Sequence, residues 1–80
     1  MITLEQAKNL KHGDILYHVL NHNSDGSPQR WRVNGAVKTW VTRPNEVKVP
    51  IKYGIYTCDY LTHTTLHLVS LNQEDAKNGK

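Results

Sequence analysis

Apolar and polar residues alternate along most of this chain with a period of two, the signature of strands that bury one face. The clearest alternation is VKVPIK, residues 47–52, with Val47, Val49 and Ile51 pointing one way and Lys48, Pro50 and Lys52 the other. Pro50 has no N–H to give a ladder, so an edge position or a bulge is expected there. Residues 14–21, DILYHVLN, read as a strand with apolar groups on both faces, and LHLVSL, 66–71, as a last strand. Residues 55–61, IYTCDYL, are ambiguous between a short strand and a strand followed by a turn. Helical spacing occurs once near the start. Leu4, Ala7 and Leu10 recur every three residues, and Thr3 with Gln6 forms a capping box, so residues 3–10 predict a short helix laid over one end of the sheet. Loops are expected at HNSDGSP, 22–28, and RPNE, 43–46.

The strongest local signal is QRWRVNGAVKTWVT, residues 29–42. Asn34-Gly35 between two β-rich runs predicts a hairpin with a two-residue type I′ turn, because both residues tolerate positive φ. That pairing puts Gln29, Trp31, Val33, Ala36, Lys38 and Trp40 on one face and Arg30, Arg32, Val37, Thr39 and Val41 on the other. Trp31 with Val33 and Ala36 is then core, with Lys38 snorkelling past an indole. The alternative keeps one tryptophan partly exposed beside cations as a binding platform.

About five short strands in 80 residues cannot bury a face unless the sheet curls on itself or is covered. The expected architecture is mainly β: a small antiparallel SH3-like barrel of about five strands with a short N-terminal helix. An OB-type barrel comes second and an open sheet covered by the helix third. Residues 1–72 form the single domain, and 73–80 a flexible, frayed tail.

Composition narrows the chemistry. The chain has no Phe and a single Cys, so two Trp and four Tyr supply the large apolar surface. No secretory signal or membrane-spanning run is visible and Cys58 has no disulfide partner, so a reducing, cytoplasmic setting is expected. The net charge of +3 is unevenly spread. From residue 30 to 52, Arg30, Arg32, Lys38, Arg43, Lys48 and Lys52 face Glu46 alone, a local +5; the remainder carries −2. Such concentration favours an anionic partner, or else is a solvated face.

Five histidines, His12, His18, His22, His63 and His67, raise a metal reading. With one Cys, no CxxC and loose spacings they do not make a zinc pattern; four exposed imidazoles and one partly buried are expected, with no metal or other cofactor. Cys58 next to Asp59 and near His63 is the minimum for a thiol nucleophile, but no oxyanion loop or cleft accompanies it. Cys58 is expected to be buried or semi-buried, and the chain is expected not to be an enzyme. What remains is the basic and aromatic surface. Arg30, Arg32, Lys38, Arg43, Lys48 and Lys52 are candidates for phosphate, and Trp40, Tyr53 and Tyr56 for stacking on bases or on a peptide.

The order LKHGDILYHV, RWRVNGAVKTW, VKVPIKYGIYTCDYLT and LHLV, spanning most of residues 4–71, resembles small hypothetical proteins of bacteriophage genomes that are similar to SH3-like barrels. The resemblance implies expression in an infected bacterial cell and no activity. Two functions are expected of such a chain: a non-enzymatic module that binds nucleic acid, DNA or RNA, and a protein-interaction module acting as adaptor or inhibitor of a host protein. A self-associating structural piece is a third, since edge strands pair readily. No membrane partner is expected, and the oligomeric state is open.

Overall fold

A computed structural model describes all 80 residues. The elements are α1 (Leu4–Lys8), β1 (Ile15–His22), β2 (Pro28–Val33), β3 (Lys38–Trp40), β4 (Arg43–Tyr53), β5 (Thr57–Thr62), a 3-10 turn (Leu66–Leu68), β6 (Val69–Ser70) and α2 (Gln73–Lys77). The strands form one antiparallel six-stranded sheet that is not closed into a barrel. This corrects the expected barrel. β5 pairs only with β4, and the two-residue β6 only with β1, so the two margins never meet. The inner face is covered instead by the N-terminal segment: Ile2, Ala7 and Leu10 join Leu16, Trp31, Val33, Val47, Val49, Ile51 and Leu61 in one core. The short apolar stripe of α1 lies on the sheet, and its Thr3/Gln6 capping box is formed.

β4 organises the sheet because it has three partners. Lys48 is opposite Lys38 of β3 and Thr62 of β5; Lys52 is opposite Arg32 of β2 and Cys58 of β5. A strand has two edges, so β2 and β3 must share one of them. They are two halves of one bent strand, and Asn34-Gly35 is its kink and not a hairpin turn. Between Val33 and Lys38 the chain advances five residues while β4 runs three, from Ile51 to Lys48, so two residues are extra.

The cause is Pro50. The Asn34 N–H donates to the Pro50 carbonyl at 2.8 Å, so this side of Pro50 faces the β2–β3 strand. Pro50 has no N–H to return, and the ladder breaks opposite it. Gly35 takes φ +142°, and a Cβ there would lie 3.2 Å from Pro50 Cγ. Glycine is needed where the kinked backbone passes the proline ring. The expected bulge at Pro50 therefore falls on the neighbouring strand. The true hairpin joins β3 to β4 through Val41 and Thr42, with Trp40 opposite Arg43. No residue other than glycine has positive φ, so this is not a primed turn.

The C-terminal residues also differ from the expected frayed tail. Asn72 accepts from the N–H groups of Glu74 and Asp75 and starts α2, whose Ala76 is fully buried. The Ala76 carbonyl lies 3.3 Å from His22 Nε2 at the end of β1.

Candidate nucleic-acid interface

Residues directly opposite one another in an antiparallel ladder share a face. On the inner face Val33 meets Ile51, Leu16 meets Trp31 and Val49 meets Leu61. The outer face then carries Ile15 and Tyr17 of β1, Arg30 and Arg32 of β2, Lys38 of β3, Lys48, Pro50 and Lys52 of β4, and Cys58, Tyr60 and Thr62 of β5. Five of the six cations singled out from the sequence stand on this face; its one strand carboxylate is Glu46, two residues before Lys48 on β4 and paired with Arg43. Arg32 is opposite Lys52 and Lys38 is opposite Lys48. Like charges placed so destabilise a sheet.

The kink is what brings Lys38 here. A type I′ hairpin at Asn34-Gly35 would have put it on the Trp31 side. Two extra residues, an even number, instead preserve the alternation through Arg30, Arg32 and Lys38.

Arg43, the sixth cation, is committed elsewhere. Its Nη1 lies 3.0 Å from Glu46 Oε2, the one ion pair in the molecule, and its guanidinium sits 4.7 Å from the Trp40 ring centroid. Trp40 is half-buried beneath it and presents no free platform. Trp31 is the core tryptophan. Its indole N–H donates to Gln29 Oε1 at 2.9 Å, and Tyr53 stacks on it with centroids 5.1 Å apart and planes 17° apart. Tyr53 therefore belongs to the inner face, not to the exposed stacking set. Tyr56 is 91% exposed at the tip of the β4–β5 loop.

Tyr60 was not singled out from the sequence. It lies opposite Pro50 on the outer face, and Lys48 Nζ is 4.2 Å from its ring centroid, a cation–π contact that half-buries the lysine. Alternation carried back from the apolar Leu61 would have assigned it. A shallow depression of about 460 Å³ lies where the outer face meets the β4–β5 loop, lined by Ile15, Arg30, Arg32, Lys52, Tyr53, Gly54 and Ile55.

No family model, curated protein or solved structure matches the chain.

Cys58 is exposed, contrary to the expectation of burial, because β5 is the margin of the sheet and Cys58 points outward opposite Lys52. Four of the histidines are exposed, and they do not gather with Cys, Asp or Glu into a group of three or more. The fifth, His18, is buried beside Trp31, ring centroids 4.7 Å apart. Its Nδ1 accepts from the N–H groups of Leu20 (3.1 Å) and Asn21 (2.9 Å), which fixes a neutral ring with the proton on Nε2. Burial, and secondarily His22, hold its pKa below the ordinary value. No helix is long and apolar enough to cross a membrane.

Proposed function

We propose that this chain is a non-enzymatic nucleic-acid-binding module whose outer sheet face lies against phosphates. The observation that carries the reading is the row of Arg30, Arg32, Lys38, Lys48 and Lys52 on one face, where the only strand carboxylate, Glu46, is paired with Arg43 and with none of the five. Folding alone gains nothing from this. Two like-charge pairs directly across a ladder weaken the sheet, and a bound anion would relieve them. Phosphates supply that anion at closely repeated intervals, and neutralising them releases counterions. Lys48, held on Tyr60, has less freedom to lose on binding than a fully exposed lysine.

The test is affinity against salt. Five phosphate contacts predict a slope of log K on log salt of roughly −3 to −5. Reversing both arginines, Arg30→Glu with Arg32→Glu, should abolish binding. A flat salt response, or no detectable binding to DNA or RNA of either strandedness, sinks the proposal.

A second reading, an adaptor or inhibitor bound to a host protein, is supported by one observation. Ile55 is 76% and Tyr56 91% exposed side by side, an anchor of the kind protein interfaces use. Trp40 and Tyr53 do not serve it, being covered by Arg43 and stacked on Trp31. Capture of a protein partner from nuclease-treated lysate, with no nucleic-acid binding by the pure chain, favours this reading over the first.

A further inference from the structure

The β4–β5 loop is three residues long, Gly54-Ile55-Tyr56, closed by the Tyr53–Thr57 pair. Gly54 turns it with φ +66°. Its other two residues are large and apolar, and the fold buries neither. An exposed turn ordinarily takes small polar residues. Gly54 and Ile55 also form part of the wall of the depression that contains Arg30, Arg32 and Lys52. An almost fully exposed aromatic ring thus stands one residue from a concave, carboxylate-free, three-cation site.

Resting on the nucleic-acid reading, we propose that this loop is a base-stacking finger and that the depression takes single-stranded nucleic acid: Tyr56, with Ile55 beside it, against a base, and Arg30, Arg32 and Lys52 on the flanking phosphates. A single strand offers free base faces within a nucleotide of its phosphates. A duplex keeps those faces stacked inside, so a ring at the rim meets only backbone and groove edges. Tyrosine suits the task because its ring is rigid and its π face accepts any base. A protein partner would use Ile55 and Tyr56 equally well, but would need carboxylates aimed at three convergent cations. A polynucleotide brings both chemistries in each repeat.

The experiment measures binding of a labelled oligothymidylate, and of a duplex of equal length, by fluorescence anisotropy across salt. Tyr56→Ala should weaken single-strand binding roughly 5- to 150-fold, the worth of one base–aromatic stack, and leave the salt slope unchanged. Tyr56→Phe and Tyr56→Trp should keep the affinity. Arg30→Gln and Lys52→Gln should each flatten the slope by about one. Duplex should bind more weakly and ignore Tyr56. Tyr56 is 91% exposed, so these variants should melt with the parent protein.

Tyr56→Ala binding within twofold of the parent, while the arginine and lysine variants still weaken, overturns the finger and leaves the basic-face proposal standing. Equal binding of duplex and single strand overturns the single-strand assignment. If the parent binds neither oligonucleotide, both proposals fall together.

Discussion

Arg32 and Lys52 stand directly opposite each other across the β2–β4 ladder, with no carboxylate beside them on that face. Replacing one by an acid converts a repulsive cross-strand pair into an attractive one. Lys52→Glu should stabilise the free protein by about 0.2–1 kcal/mol in low salt. Urea unfolding should show the gain shrinking as salt rises, because exposed charges are screened. The same substitution should weaken nucleic-acid binding, so stability and affinity move in opposite directions. A destabilised variant would mean that Lys52 is not under repulsion.

Gly35→Ala tests the origin of the kink. The substitution puts a Cβ 3.2 Å from Pro50 Cγ at a backbone angle that side chains avoid. A loss of about 1–3 kcal/mol is expected, read as a fall in thermal midpoint. Adding Pro50→Ala should recover the steric share and not the share due to φ, so the double-mutant cycle should show coupling. Additive effects would mean that the ring and the glycine do not interact.

His18 makes stability depend on pH. Its folded-state pKa lies below 6.5, chiefly through burial and next through His22. The unfolded chain takes up a proton as pH falls through about 6.5, while the folded chain resists because Nδ1 already accepts two backbone N–H groups. Stability is therefore full above that pH, declines below it, and levels off once the folded ring protonates. Urea midpoints between about pH 7.5 and about pH 5 should fall more for the parent than for His18→Gln. His22→Asn should remove only a small part of the difference, since burial is the larger cause.

Cys58 offers a footprint. Its thiol is exposed on the outer face opposite Lys52. It should react with a thiol reagent in native buffer as fast as in denaturant, and a saturating oligonucleotide should slow that reaction. Unchanged labelling in the complex would place the ligand elsewhere.

Helix α2 should contribute to stability despite its length. Asn72→Ala removes a side chain that accepts from two backbone N–H groups and should cost about 1 kcal/mol. Truncation after Asn72 should cost more, because it uncovers the end of β1. A truncated chain with an unchanged melting temperature would show the helix to be ornamental.

Local chemistry explains what the sequence discloses of this fold and what it conceals. The Thr3/Gln6 box, the alternation of residues 47–52 and the core role of Trp31 are short-range signals, and each is realised. Asn34-Gly35 misleads because the same tolerance of positive φ serves a hairpin or a kink. Only the long-range position of Pro50 decides between them. Barrel closure was illegible for a similar reason, since it depends on whether two remote margins meet. α2 hid because its one buried residue, Ala76, is too small to mark an apolar stripe. The candidate cations were legible as a cluster in the chain. Their shared face was not, because it depends on the register of three strands, and that register also removed Tyr53 and Arg43 and introduced Tyr60.

The kink between Val33 and Lys38 holds two surplus residues, and side-chain direction flips with every residue. Length changes at this point are therefore quantised. Losing or gaining a pair of residues would alter only the local bow, whereas a change of one would turn the Lys38–Trp40 strand over, sending Lys38 to the Val47 side and Thr39 to the side of Lys48. Variants that drift by insertion or deletion here should survive in steps of two.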